Sequence, residues 1–150
     1  MLPLLAIGGI VTYLITREDK QSKKKKKRIF ISFAIEDVIY RDHLKDQARK
    51  EKSPFDYIDM SAKKAWKESE WKEKCRTKIK RCHGVIVLIT HNTFDSEGVK
   101  HEIKCATEAK IPIIGIYVKK DDKGMPPIEL KGKRKIEWTW PNLETFINKL

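Results

Sequence analysis

Glu102 lies in HNTFDSEGVKHEIKCATEA, residues 91–109, at a position where a carboxylate needs a reason. At about 100° per residue, a helix over this stretch puts Val99, Ile103 and Ala106 on one face. Glu102 falls between Ala106 and Ala109, on the edge of that face and not on the solvent side. The two small neighbours leave room for something larger than a side chain, which makes Glu102 a candidate functional group. The same placement also fits a stripe-edge glutamate whose carboxylate snorkels to water.

The remaining residues with ligating or nucleophilic chemistry are sparse. Cys82, His83, His91, His101 and Cys105 contain no pair with zinc-ligand spacing in a compact motif, so no metal is expected, and His101 and Cys105 read as packing beside a sheet or meeting solvent. Cys75, Cys82 and Cys105 are odd in number and lack CxxC spacing, which points to reduced thiols in a cytosolic domain. Glu36-Asp37 imitates the acidic pair of a response-regulator receiver. The third apolar run, however, ends in Thr90-His91 where a phosphoacceptor aspartate should stand, so phosphotransfer is not expected.

The elements that must hold Glu102 alternate in type from Arg28 onward. RIFISF (28–33) is a first strand, and a helix from Glu36 to about Lys52 carries Ile39, Leu44 and Ala48 inward. FDYID (55–59), opened by Ser53-Pro54, is a second strand, and a charged helix runs from about Glu68 to Cys82. GVIVLIT (84–90) has the nearly continuous β-branched and apolar character of a central parallel strand. The Glu102 helix spans about 96–110. IPIIGIYV (111–118) is a fourth strand with Pro112 near its start, KIEWTW (135–140) a fifth, and a closing helix begins at Asn142. Five strands alternating with helices predict a flavodoxin-like, doubly wound α/β domain with a five-stranded parallel sheet. With the order 2-1-3-4-5, a ligand crevice opens beyond the carboxyl ends of strands one and three, at FAIED (33–37) and THNTFDSEG (90–98), close to Glu102.

The chain has 150 residues and a net charge of +12, enough for one domain and a tail. Residues 1–28 hold eight basic and two acidic side chains and so supply half of that excess. The rest is moderately basic without a basic stripe or a zinc-finger, RRM or KH pattern, so nucleic acid is not an expected partner. MLPLLAIGGIVTYLIT (1–16) is uncharged, and as a helix would span about 24 Å against a hydrocarbon core of about 30 Å. The charges of REDKQSKKKKKR follow it, which by the positive-inside rule orients a single-pass anchor in the inner (cytoplasmic) membrane with the following domain in the cytosol. A soluble helix packed on the domain is the other reading of this segment. The expected division is an anchor at 1–16, a polybasic linker at 17–27 and a folded domain at 28–150.

RIFISFAIED followed by a helix, then VIVLITHNTFDSEGVKHEI, resembles a TIR domain. IDMSAKKAW and IPIIGIYV resemble the TIR-like subfamily of bacterial Thoeris anti-phage defence proteins. The resemblance covers about Arg28 to Leu150. It implies cleavage of NAD at the nicotinamide–ribose bond, with NAD as substrate and not cofactor, and an ADP-ribose-derived, often cyclic, signalling product that a downstream effector senses. It further implies self-association through TIR domains. Glu102 matches the catalytic glutamate, and substrate contacts are implied for Ser32, Phe33, Ala34, Asp59, Trp66 and Ser96.

Breaking that bond builds an oxocarbenium-like charge on the ribose, which one ionised carboxylate can stabilise. Nicotinamide leaves neutral from an already cationic ring, so no second carboxylate is needed. Lys63 or Lys64 could meet the pyrophosphate, although a solvated loop charge is the better account of them. Many TIR enzymes carry a tryptophan four residues before the glutamate, where this chain has Gly98. A TIR module that assembles with other TIR domains without catalysis is the alternative function.

Overall fold

A computed structural model describes residues 26–53, 55–60 and 67–150. β1 (Lys27–Ser32), β2 (Phe55–Ile58), β3 (Gly84–Ile89), β4 (Ile113–Tyr117) and β5 (Arg134–Glu137) form one parallel sheet in the order β2-β1-β3-β4-β5. Helices α1 (Val38–Lys50), α2 (Glu68–Lys80), α3 (Glu97–Glu108) and α4 (Trp140–Asn148) connect or close the strands, with short 3₁₀ turns at Ile35–Asp37 and Ile128–Leu130. The α/β class, the parallel sheet and the strand order are those expected from the alternating pattern. Among the described residues no helix is long and apolar enough to cross a membrane. The expected anchor at 1–16 and most of the polybasic linker lie outside the described residues. The last linker position, Lys27, opens β1.

Alternation within β3 shows why the sheet needs helices on both faces. All six residues of GVIVLI are buried. Val85, Val87 and Ile89 pack with Cys75 and Ile79 of α2 and Val99, Ile103 and Ala106 of α3. Ile86 and Leu88 pack on the other face with Leu44 and Ala48 of α1 and Leu143 and Ile147 of α4. Each such aliphatic side chain contributes about 1.5–3 kcal/mol by leaving water, so β3 is the best-buried part of the site's support.

Local signals set the helix ends. The Ser96 hydroxyl caps α3 by accepting from the Val99 amide at 3.2 Å. Thr139 caps α4 by accepting from the Asn142 amide at 3.3 Å. With Pro141 tolerated in the first turn, α4 begins at Trp140, two residues before the expected start, and β5 stops at Glu137. Ile39, expected inward, is 55 % exposed. It lies about 140° around the helix from Leu44, whereas Tyr40, four residues before Leu44, packs against the core.

The loop after β4 returns over the end of β3. Gly124 has φ of +76°, and a Cβ there would stand 2.4 Å from the Thr90 carbonyl carbon and oxygen. His91 of the same rim pairs with Asp122. Gly124→Ala is therefore expected to destabilise the domain by about 1–3 kcal/mol or more, from a left-handed backbone joined to a backbone clash. Urea unfolding followed by circular dichroism checks this. An unchanged midpoint would mean that the loop does not rest on Thr90.

Candidate active site

The crevice at the carboxyl ends of β1 and β3 is assembled from four parts of the chain. β1 ends in Ser32 and continues into Phe33 and the 3₁₀ turn, and β3 ends in the Thr90–Ser96 loop that feeds α3. A cavity of about 400 Å³ opens between them, within the usual size range of small-molecule sites. Phe33, Met60, Trp71, Asn92, Ser96 and Glu102 are among its lining residues.

Glu102 stands at the inner end of this arrangement. It is 5 % exposed, so it does not extend into solvent as a stripe-edge side chain would, and meets the outside only through the cavity. The Ser32 hydroxyl, fully buried, donates to Glu102 Oε1 at 2.5 Å. Burial pushes the Glu102 carboxyl up to about 8; the bond from Ser32 pulls the other way, and the charge of Asp59 raises it further. Near neutral pH the free protein holds Glu102 mostly protonated, because one hydroxyl does not replace the hydration that burial removes.

A second buried acid organises the rim. Asp37, 2 % exposed, accepts from Thr90 Oγ1 at 2.5 Å and from Asn92 Nδ2 at 3.0 Å, tying the loop after β1 to the loop after β3. Thr93, also buried, accepts from the Thr90 amide and donates to the Leu88 carbonyl. The Glu36-Asp37 pair thus serves the architecture of the crevice, with Asp37 turned inward and Glu36 lining the cavity.

The expected site residues divide into groups. Phe33, Ser96 and Glu102 line the cavity. Ser32 lies behind it and acts through Glu102, and Ala34 is buried at 2 % exposure. Asp59 Oδ2 accepts from Arg41 Nη1 at 2.5 Å, and the Arg41 guanidinium sits 5.4 Å from the Phe33 ring centroid. Asp59 is in that way part of the support of Phe33, while its neighbour Met60 lines the cavity. Lys63, Lys64 and Trp66 lie outside the described residues.

Trp71, Met60, Asn92 and Asp37 were not among the residues picked out as site residues. Trp71 matters most. A Cβ added to Gly98 would meet the Trp71 ring at 3.5 Å, so the indole of α2 fills the space beside the glycine of α3. The only sequence signal was an apolar ring in the first turn of an otherwise charged helix. Behind this wall, Cys75 of α2 meets His101 and Cys105 of α3. Burial raises both thiols, and the Glu102 charge contributes in the same direction.

Residues 30–123 match the family described as Thoeris protein ThsB, TIR-like domain. No curated protein matches the chain.

The shifted carboxyl has a measurable consequence for stability. The folded state holds the Glu102 proton more tightly than an unfolded chain, whose value is near 4.5. The contribution of Glu102 is therefore full below about pH 4.5 and is lost as pH rises through about 8. Glu102→Gln, which cannot ionise, is expected to match the parent in acid and exceed it progressively in melting temperature between pH 5 and about pH 9. Parallel melting curves across that range would refute the buried-carboxyl account.

Proposed function

The chain belongs to the Thoeris ThsB TIR-like family, and from this premise we propose that it cleaves NAD at the nicotinamide–ribose bond to make an ADP-ribose-derived, in some cases cyclic, signal in anti-phage defence. The observation that carries the reading is a single carboxyl, buried and held by Ser32, lining a cavity at the switch point of the sheet. A desolvated glutamate at such a place is strongly disfavoured as an anion until a cation arrives. NAD brings one, because its nicotinamide ring is a pyridinium.

The chemistry then needs few groups. The bond between ribose C1′ and the ring nitrogen breaks with its electron pair leaving on nicotinamide, which departs neutral. Positive charge passes to the ribose, and the Glu102 carboxylate stabilises it. Water, or a nucleophile of the same nucleotide, adds to C1′ and releases its proton to solvent, giving free or cyclic product respectively. Ser32 orients the carboxylate, and Asn92 and Ser96 supply polar groups at the cavity wall. Trp71 and Phe33 offer aromatic surfaces for a flat ring, Trp71 standing where Gly98 leaves space. In this reading the protein self-associates through its TIR-like domain, and a separate effector senses the product.

Three variants test the assignment in one assay of NAD consumption with mass spectrometry of the products. Glu102→Gln should lower turnover by about a hundredfold or more without loss of folding. Trp71→Ala should raise KM about tenfold and change kcat little, as loss of ring stacking does. Glu144→Gln, on the exposed side of α4 and away from the cavity, is the folding and handling control. The acid limb of kcat/KM should fall near pH 8, the value of the free enzyme, and the limb of kcat should lie lower because bound pyridinium favours the carboxylate. Equal turnover by Glu102→Gln and the parent removes Glu102 from the reaction and leaves a TIR module that only assembles.

The proposal extends to location, with residues 1–16 as a single-pass anchor in the inner membrane and the domain on the cytosolic side. The full chain is expected to sediment with membranes, to stay there in high salt and to be released by detergent. Release by salt alone would leave only an electrostatic tether through the lysine run.

A further inference from the structure

α2 and α3 pack side by side, and at one level of that contact three metal-ligating side chains converge. Cys75 of α2 and the i, i+4 pair His101 and Cys105 of α3 offer two sulfurs and a ring nitrogen that lie within 4.8 Å of one another. Cys75 is fully buried, Cys105 is 2 % exposed, and His101 is half-buried. Cys105 Sγ lies 3.3 Å from His101 Nε2, which also contacts the Lys72 carbonyl oxygen at 3.2 Å.

We propose that Cys75, His101 and Cys105 form a zinc site that ties α2 to α3 and keeps a fourth coordination position for water or an added ligand. The donor set is the borderline-soft mixture of thiolate and imidazole that zinc prefers over oxygen-seeking ions. Tetrahedral zinc with bonds of about 2.3 Å to sulfur and 2.0 Å to nitrogen needs its ligand atoms about 3.5–3.8 Å apart. The present geometry reaches that by side-chain rotation, the wider separations closing and the 3.3 Å Cys105–His101 contact opening slightly, with His101 giving up its contact to the Lys72 carbonyl. Binding replaces the two thiol protons, which leave to solvent. The two thiolates then cancel the charge of the ion, so the completed centre is neutral where Cys75 and Cys105 are buried.

Access is available from one side. The His101 ring lines a cavity of about 390 Å³ with Trp71, Gly98 and Lys104; Trp71 and Gly98 line the Glu102 cavity as well, whereas His101 does not. The same pair of helices supplies Trp71 and Glu102 to the crevice. Zinc would therefore brace the two walls of the catalytic cavity without touching substrate. Simple packing of small apolar thiols accounts for the two cysteines. With His101 held by the Lys72 carbonyl and against the Trp71 ring, packing accounts for the imidazole too, but it predicts no metal stoichiometry.

The test uses the full 150-residue chain, reduced and stripped with a chelator, and titrated with Co²⁺ as a spectroscopic stand-in before displacement by Zn²⁺. One Co²⁺ per chain is expected, with a sulfur-to-cobalt charge-transfer band and the strong visible bands of a four-coordinate ion, all removed by one equivalent of Zn²⁺. His101→Ala changes a half-exposed side chain and should fold; it is expected to weaken Co²⁺ binding at least about a hundredfold. Cys105→Ser should remove the charge-transfer intensity in part, and His91→Ala should change nothing. Absence of the charge-transfer band in the parent overturns the proposal. So does Co²⁺ binding by His101→Ala with the parent's affinity, or a band that disappears in His91→Ala.

Discussion

The desolvation of one carboxyl governs the rest of this site. Glu102 is nearly removed from water and receives one hydrogen bond from a buried serine. That bond is too little to hold an anion at neutral pH, as the value of about 8 expresses. The surroundings are therefore better suited to a carboxylate with a cation beside it than to a carboxylate alone. In the proposed reaction, an interaction weak in the free protein becomes strong as positive charge develops on the ribose.

Holding a carboxyl in such a place demands a rigid surround, and the fold supplies it from opposite sides. β1 carries Ser32 to the switch point at the level of Val87 in β3. Asp37 then joins the two loops that leave these strands through Thr90 and Asn92. On the outer lip Asp59 fixes Arg41 against the Phe33 ring. Each buried acid has a defined partner, and each partner belongs to a segment distant in the chain. The α2 and α3 walls add a tryptophan placed over a glycine, so an aromatic surface is available even though α3 itself provides none.

The part of this architecture legible in the sequence is the part set by local repetition. The run GVIVLI announced a strand buried on both faces, the 3.6-residue period around Val99, Ile103 and Ala106 announced α3, and the alternation of strands with helices announced a doubly wound parallel sheet. These features depend on neighbours within a few residues, and their physical causes act at that range. Glu102 was conspicuous for the same reason, since its angle around the helix disagreed with its charge. Where Ile39 was misassigned, the period itself held the correction, for Tyr40 and Leu44 share the inward face.

Depth and partnership had to wait for the tertiary structure. A helical angle says which way Glu102 points but not how much protein lies beyond it, so an edge position turned out to be an interior one. Ser32 becomes its partner across 70 residues because β1 lies next to β3, and Asp59 is drawn to Arg41 because β2 lies beside β1 and α1 crosses above. Trp71 and Gly98 complement each other, and Cys75 joins His101 and Cys105, only because α2 and α3 are packed together. The sequence by itself determined the elements and their order, since those follow from short-range periodicity. The ionisation of the glutamate and the identity of its neighbours were decided by distances between elements far apart in the chain, which no local pattern encodes.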